Sequence, residues 1–298
     1  MAKHRFDPNK FLVKPGSKLS LVKRPTDAGK DLKDKEHGLA TLGHDVSQLQ
    51  ELQQVLYAAG SHSLLIIFQG MDAAGKDGTI RHVMGAVNPQ GCRVYSFKAP
   101  NDFELQHHFL ARPVPCLPGR GMISIFNRSY YEEVLVVRVH PEFLVPQNLP
   151  KIDVKSNASL NKLWKRRFSE INAFEESLAN NGTTILKFFL HVSRNEQKER
   201  FLERLTNPEK YWKFNSRDLA ERAMWPKYVK AFESALTETS TKNAPWFVIP
   251  ADNKWYMRAA IADIIATKLK SLKLNYPTVG ADESSDFEKL AEQLRKEK

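Results

Sequence analysis

The chain has 298 residues, of which 42% are hydrophobic, enough for one large domain or two small ones with a sizeable core. Its 45 lysines and arginines exceed its 34 aspartates and glutamates, and the formal charge of +11 predicts an anionic partner: a nucleotide, a nucleic acid, an acidic membrane or another polyanion. Two cysteines without a C-x-x-C pair predict neither a disulfide framework nor a zinc site.

The sequence also limits where the protein is expected to work. It contains no run of about 18 apolar residues, so it predicts no membrane span. Residues 1–30 lack an apolar core of signal-peptide length and a clean amphipathic pattern, which disfavours a signal or transit peptide. We therefore expect a cytoplasmic protein that does not bind membranes.

The predicted elements alternate along the chain. We expect residues 1–42 to form an arm that packs along a single domain, which comprises residues 43–275. Residues 276–298 are expected to form a charged tail with a short amphipathic helix. Apolar runs predict strands at 63–68, 92–97, 122–126, 184–191 and 246–250. Helical periods predict helices at 46–59, 76–87, 103–110, 160–178, 194–204, 218–236 and 254–272, with a break near Pro226. This order predicts an α/β fold with a parallel five-stranded sheet flanked by helices, and ligands beyond the carboxyl ends of the strands.

The first strand is followed by Gly70–Lys76, which has the pattern G-x-x-x-x-G-K typical of a phosphate-binding loop. Gly70 and Gly75 permit turns that a side chain would block, so the loop amides can surround an anion at the N-terminus of the next helix. Lys76 adds a mobile positive charge. Asp72 and Asp77 place carboxylates beside the phosphates, which predicts Mg²⁺ ions between them or a proton acceptor. The alternative is a glycine-rich turn with solvated aspartates.

Polar residues follow the third strand at the edge where such a fold binds ligands. Asn127 occupies the position at which P-loop folds present a magnesium-binding acid, with Arg128 beside it and Glu132 about a turn further on. The alternative is an ordinary strand end with solvated charges. Arg138 lies in an apolar run, 134–139, and an arginine buried there needs a partner. That partner is either a carboxylate or a phosphate.

Basic residues outnumber acidic ones in segment 194–230, directly after the fourth strand. Nucleotide kinases carry an arginine-bearing lid at this place, which closes over the transferring phosphates. A solvated face with ion pairs four residues apart is the alternative. Lys162, Arg166 and Arg167 add charge beyond what one nucleotide needs, which suggests a track for a long phosphate polymer. Nucleic acid fits less well because aromatic residues are not interleaved with the basic ones. The lid candidates are Arg194, Arg200, Arg204 and Lys213.

Four segments together resemble the type 2 polyphosphate kinase family. They are Gly70–Gly78, Phe126–Glu132, Val137–Pro141 and Ala244–Trp255. The resemblance covers about residues 10–275 and implies a thymidylate-kinase-like P-loop fold with a helical lid. It also implies reversible, Mg²⁺-dependent transfer of the terminal phosphate of inorganic polyphosphate to a nucleotide. No histidine or serine nucleophile constellation is recognisable, which fits direct in-line transfer.

The resemblance also implies roles for individual residues. Asp72 would orient or deprotonate the acceptor phosphate, Lys76 and Arg128 would hold the transferring phosphates, and Arg138 would support them. The implied metal ligands are Asp72, Asn127 and Glu132. The implied phosphate and polyphosphate contacts are Gly70, Ala73, Ala74, Gly75, Asp77, Gly78, Arg81, Lys98 and Arg112.

Much of the family has aspartate at the position of Asn127. Asparagine together with Glu132 resembles the third class, which phosphorylates both AMP and ADP and so makes ATP. The expected partners are therefore polyphosphate and adenine nucleotides, with guanine nucleotides as an alternative, in a homo-oligomer, either a dimer or a tetramer. The loss of one negative charge at Asn127 is consistent with acceptors of different phosphate number.

Two rival functions stay open at this point. An ATP-dependent nucleotide or nucleoside kinase of the same fold would use ATP as its donor. A non-enzymatic polyanion-binding protein would use the charge but leave the phosphate loop unexplained, and its binding would weaken steeply with salt. Loss of Lys76 would abolish turnover in an enzyme and would hardly affect a simple binder.

Overall fold

The computed structural model describes residues 6–278 and 280–297, except for the side chains of 281–285. Its centre is a five-stranded sheet in which all neighbouring strands are parallel, in the order β2-β3-β1-β4-β5. The strands are β1 Ser63–Gly70, β2 Cys92–Ser96, β3 Ile123–Asn127, β4 Thr183–His191 and β5 Trp246–Pro250. The predicted α/β architecture is therefore confirmed. None of the helices in the described ranges is both long enough and apolar enough to span a membrane.

Ten α-helices connect and cover the strands in the part of the chain that the structure describes. They are α1 Lys35–Ala59, α2 Lys76–Met84, α3 Asp102–Leu105, α4 Val136–Val139, α5 Asn157–Asn180, α6 Arg194–Thr206, α7 Arg217–Ala223, α8 Trp225–Thr239, α9 Lys254–Ser271 and α10 Ala281–Lys296. Helix α9 packs on α1 and α2, whereas α5 packs on α8 and β4. The central strand β1 is apolar and buried over almost its whole length, as a parallel strand covered on both faces must be.

Helix α1 begins at Lys35, eleven residues before the start that the sequence predicted, so the end of the predicted arm is helical. Asp34 caps it by accepting a hydrogen bond from the backbone N–H of His37 at 2.8 Å. The sequence was misleading here because Gly38 interrupts the helical pattern. A Cβ atom at Gly38 would lie 2.3 Å from the Trp255 ring, so the glycine serves close packing of α1 against α9.

The chain before α1 is bound to the outer edge of β5. Leu12 forms an antiparallel bridge with Phe247, and the N–H of Val13 donates to the carbonyl of Trp246 at 2.9 Å. Phe6 and Phe11 are buried against the Tyr256 ring of α9. The first residues of the described chain therefore belong to the core.

Three other predicted elements differ more clearly from those in the structure. Helix α3 covers only four residues instead of 103–110, because the chain after Gln106 turns back and Arg112 pairs with Glu104 at 2.9 Å. The predicted helix 218–236 is divided into α7 and α8 at Met224, with Pro226 in the first turn of α8. The tail forms α10, and its apolar residues are more than half exposed: Phe287, Leu290 and Leu294.

Candidate active site

The loop between β1 and α2 has the backbone of an anion-binding turn. Gly75 has a φ of 103° and Ala73 a φ of 59°, both in the left-handed region. Gly70 lies against β4, where an added Cβ would lie 3.0 Å from the carbonyl oxygen of Leu190. The loop therefore depends on glycine at both ends, and its last amides precede the positive end of α2.

Lys76, the first residue of α2, folds back over this loop. Its Nζ donates to the carbonyl oxygens of Gly70 at 2.9 Å and Met71 at 3.4 Å. Burial of the ammonium, together with the nearby Arg128, lowers the pKa of Lys76 to about 8, although Asp72 counteracts the shift. The lysine is therefore held in place before any phosphate binds.

The end of β3 contacts the start of α2. Phe68 of β1 lies beside Asn127 in the sheet, so Asn127 emerges next to the phosphate loop. The Asn127 amide donates to a carboxylate oxygen of Asp77 at 2.6 Å. Only one of the two groups is an anion, which allows this close approach.

Arg128 is the next residue and has a φ of 63°, a left-handed conformation that a non-glycine residue rarely adopts. Its guanidinium lies 3.2 Å from an Asp72 oxygen and 3.6 Å from a Glu132 oxygen. The two carboxylates, Glu132 foremost, raise the pKa of Arg128. Burial raises the pKa of Glu132, while Arg128 and Lys76 act in the opposite direction.

A buried polar cluster supports this segment from behind. Lys187 of β4 is fully buried and donates to Glu175 at 2.6 Å, to the Tyr131 hydroxyl at 2.8 Å and to the Thr239 carbonyl at 2.7 Å. Tyr130 and Tyr131 each donate to Glu175 at 2.8 Å. This cluster was not predicted from the sequence, although a lysine in the middle of an apolar strand is a signal for a buried polar partner.

Three cavities meet at the carboxyl ends of the strands. The largest, which we call the basic channel, has a volume of about 800 Å³ and is lined by ten basic and four acidic side chains. The aromatic cavity, about 270 Å³, is lined by Phe97, Phe109, Tyr130 and Phe143 among others. The lid cavity, about 300 Å³, lies between the phosphate loop and α7 and α8. Of the residues lining these three cavities, Arg128 alone lines all of them.

Most of the predicted site residues lie around these cavities. The basic channel is lined by Asp72, Ala73, Ala74, Gly75, Lys76, Asp77, Gly78, Arg81, Lys98, Asn127, Arg128, Arg200, Arg204 and Lys213. Gly70 and Glu132 line the lid cavity. Arg112 lines the aromatic cavity, where its guanidinium lies 5.3 Å from the Phe97 ring.

Two predicted residues lie elsewhere. The guanidinium of Arg138 lies 6.0 Å from the Phe168 ring, and its buried Nη1 has no hydrogen-bond partner among the described residues. Burial lowers the pKa of Arg138, and the charge that acts against this shift is Glu238 rather than a group of the phosphate loop. The Arg194 side chain is exposed and lines none of the three cavities. The structure therefore does not bring these two side chains to the phosphate loop.

Two of the three predicted lid arginines, Arg200 and Arg204, contact other parts of the protein. Arg200 is buried and donates to the carbonyl oxygens of Ala73 at 2.8 Å and Ala251 at 2.6 Å, so it joins the phosphate loop to the end of β5. Arg204 lies 3.6 Å from Asp218 of α7. Between 202 and 227 no residue is buried, whereas α6 and α8 are anchored in the body on either side.

Several residues that line the basic channel are not among the site residues predicted from the sequence. Lys254 and Arg258 lie one turn apart at the start of α9, and their spacing of four residues was the available signal. Arg258 approaches Gly78, where an added Cβ would lie 3.4 Å from its Nη2 atom. Lys210 and Trp212 come from the 3₁₀ helix Pro208–Lys213.

The sequence matches the family model of polyphosphate kinase 2 over residues 32–277. It is 46% identical over 286 residues to an ADP-polyphosphate phosphotransferase of Rhodopseudomonas palustris, covering 96% of this chain and 98% of the relative. It is 44% identical over 269 residues to an AMP/ADP-polyphosphate phosphotransferase of Meiothermus ruber, covering 90% and 95%. The crystal structure of polyphosphate kinase 2 from Arthrobacter aurescens superposes with a TM-score of 0.87 at 38% identity, covering 98% of this chain and 99% of that one. Together with the parallel sheet and its phosphate loop, these matches establish that the chain belongs to the polyphosphate kinase 2 family.

Proposed function

We propose that this protein transfers the terminal phosphate of inorganic polyphosphate to AMP and to ADP. The observation that carries the proposal is the position of Arg128, which lines the basic channel and the aromatic cavity and contacts Asp72 of the channel. We expect a phosphate that passes from a donor in one cavity to an acceptor in the other to contact this guanidinium. The relatives from Rhodopseudomonas palustris and Meiothermus ruber carry the corresponding activities in their names.

The basic channel suits the donor. Its ten basic side chains against four acidic ones give the wall a net positive charge, as a chain with one negative charge on each phosphate requires. The phosphate loop and Lys76 form part of the same wall. The terminal phosphate therefore lies on the loop, and the rest of the polymer follows the channel past Arg258 and Lys254.

The aromatic cavity suits the nucleoside of the acceptor. Its rings offer flat apolar contacts, and the few polar groups are fixed: Gln147 donates to Glu133 at 2.9 Å and accepts from Arg167 at 2.6 Å. Lys98 lines both this cavity and the basic channel, so the acceptor phosphates point toward the channel.

The transfer then proceeds directly between the two substrates. An oxygen of the acceptor phosphate attacks the terminal phosphorus of the chain, and the bond to the bridging oxygen breaks. Lys76 and Arg128 stabilise the charge that develops on the transferring group. Asp72, already 3.2 Å from Arg128, orients the acceptor or takes its proton. The exposed segment 202–227 closes over the site, a narrower lid than the sequence predicted.

Oxygen atoms suited to Mg²⁺ converge near the loop. The carboxylates of Asp72 and Asp77 and the amide oxygen of Asn127 form a set that fits Mg²⁺. Glu132 fits less well, because it pairs with Arg128 and does not line the basic channel with the other three. Among the described residues, no group of three or more His, Cys, Asp or Glu side chains could hold a metal alone. Phosphate oxygens would complete the coordination, and the bound ion would supply charge neutralisation.

The test combines purified protein, Mg²⁺, long-chain polyphosphate and AMP, with chromatographic detection of ADP and ATP. We expect ADP and then ATP, and a loss of roughly a hundredfold or more in Lys76→Ala and Asp72→Asn. Lys268→Ala is the matched control, because this exposed lysine near the end of α9 lines none of the three cavities. Arg128→Lys should also lose activity because it removes the guanidinium fork, whereas Arg194→Lys should not.

Three results would contradict parts of the proposal. Formation of ADP without ATP would show that AMP is an acceptor and that ADP is not. Transfer from ATP but not from polyphosphate would identify an ATP-dependent kinase of the same fold. Binding of polyphosphate without turnover, unchanged in Lys76→Ala, would identify a polyanion-binding protein.

A further inference from the structure

An exposed tryptophan stands in the wall of the basic channel. Trp212 is 78% exposed, although it lines a cavity whose other walls are mostly charged or backbone groups. Its Nε1 donates to the carbonyl oxygen of Glu209 at 3.0 Å, and the ammonium of Lys213 lies 4.9 Å from its ring centroid. The ring is therefore held in position while much of its surface stays open to the channel.

A polyphosphate chain gives no reason for this ring. Phosphates have neither apolar surface nor a π system, so the cations of the channel suffice to bind them. The other aromatic residue of the channel, Phe97, is buried and also lines the aromatic cavity. Trp212 does not line the aromatic cavity, so a base stacked on it leaves the site proposed for the acceptor nucleoside free.

We propose that the basic channel also binds a nucleoside triphosphate as a phosphate donor, with the base stacked on Trp212 and the triphosphate on the phosphate loop. This inference rests on the proposed assignment of the channel to the donor. The last three phosphates of a polyphosphate chain and the triphosphate of ATP offer the loop the same groups. The protein is then also an ATP:AMP phosphotransferase that needs no polyphosphate.

The reaction balances without a further reactant. An oxygen of the AMP phosphate attacks the γ-phosphorus of ATP and forms a new P–O bond. The bond between this phosphorus and the β,γ-bridging oxygen breaks, and its electron pair leaves with ADP. The acceptor has become a second ADP.

The experiment compares two donors that differ only in the nucleoside. KM is measured for ATP and for inorganic tripolyphosphate, each with AMP as acceptor, in the wild type, Trp212→Ala, Trp212→Phe and Tyr211→Ala. Stacking of one base on an aromatic side chain predicts that Trp212→Ala raises the KM for ATP about tenfold more than the KM for tripolyphosphate. Trp212→Phe should restore most of the difference. Tyr211 is the matched control, because it is an exposed neighbouring aromatic residue that lines none of the three cavities.

Two artefacts are excluded within the same assay. The ATP carries a labelled γ-phosphate, and an added exopolyphosphatase converts any polyphosphate made from ATP by the reverse reaction into inorganic phosphate. A two-step route through polymer then gives unlabelled ADP and labelled inorganic phosphate, whereas direct transfer to AMP gives labelled ADP. A Lys76→Ala preparation, purified identically, reports contaminating kinases.

Two outcomes overturn the inference. The first is the absence of ADP labelled by the γ-phosphate of ATP while polyphosphate and AMP still react; the proposed function then stands and the second donor does not. The second is an equal rise of both KM values in Trp212→Ala, which assigns Trp212 to the shape of the channel. If polyphosphate and AMP also fail to react, the proposed function itself has failed.

Discussion

The Asn127 amide donates to the Asp77 carboxylate at 2.6 Å and so joins the end of β3 to the first turn of α2. The hydrogen bond is possible because residue 127 carries no charge. An aspartate at this position would face a second carboxylate at hydrogen-bonding distance, and a cation would be needed between them.

We therefore expect Asn127→Asp to lower the Tm when divalent cations are removed and to regain most of it with Mg²⁺. Like charges at this distance repel, and an ion that binds the folded state stabilises it. Thermal unfolding with EDTA and with Mg²⁺ measures the effect, and Asn161→Asp, at an exposed position of α5, serves as a control for the added charge. An equal Tm change under both conditions would sink the idea.

The same substitution tests the range of acceptors. If the neutral Asn127 admits acceptors of different phosphate number, Asn127→Asp should shift the ratio of turnover with AMP to turnover with ADP. Initial rates with each acceptor at saturating polyphosphate give this ratio. An unchanged ratio would remove Asn127 from acceptor selection.

Lys76 should set a limit on activity at high pH. Its pKa lies near 8 because the ammonium is buried beside Arg128, and only the protonated form attracts phosphate. In the free enzyme, kcat/KM for polyphosphate should therefore fall as pH rises above about 8. Lys76→Arg, which stays charged, should show lower activity without this decline. A decline that persists in Lys76→Arg belongs to another group.

The cluster behind the site should contribute to stability through Lys187. Lys187→Met leaves the buried carboxylate of Glu175 without its cation, and we expect a loss of about 3–5 kcal/mol in the free energy of unfolding. Adding Glu175→Gln should recover part of this loss, because the amide oxygen still accepts from the two tyrosines. Denaturant unfolding of both variants tests the coupling, and simple additivity of the two losses would contradict it.

Two glycines of α1 should respond to alanine with opposite signs. Gly38→Ala places a Cβ 2.3 Å from the Trp255 ring, and overpacking of this kind costs about 1–3 kcal/mol. Gly43 has nothing within 4 Å of its added Cβ, so Gly43→Ala should stabilise the helix by about 0.5–1 kcal/mol. The free energy of unfolding of each variant, compared with that of the wild type, measures both effects, and changes of the same sign would contradict the prediction.

Much of the fold could be predicted because the five apolar runs became five parallel strands, and the glycine pattern of the phosphate loop has a direct backbone meaning. Local pattern was not enough where a distant residue decides. Gly38 weakened the predicted helix, although Trp255 requires the glycine. The family resemblance gave Arg138 a role beside the transferring phosphates, and nothing in its apolar neighbourhood reveals that it faces Phe168. Arg200 was expected in a moving lid, yet it pairs with Glu196 four residues earlier, which the sequence had left open as the alternative. It also donates to backbone carbonyls, which no side-chain pattern records.

The pairing of residues 11–13 with β5 has a consequence for solubility. A strand at the edge of a sheet presents unpaired amides and carbonyls to any other chain, and β5 reads Trp246-Phe247-Val248-Ile249-Pro250, with no charge to deter such pairing. The chain's own beginning covers this strand. A truncation that removes residues 11–13 would expose the edge of β5, along which other molecules could add by strand pairing. Its first effect would be aggregation rather than slower catalysis.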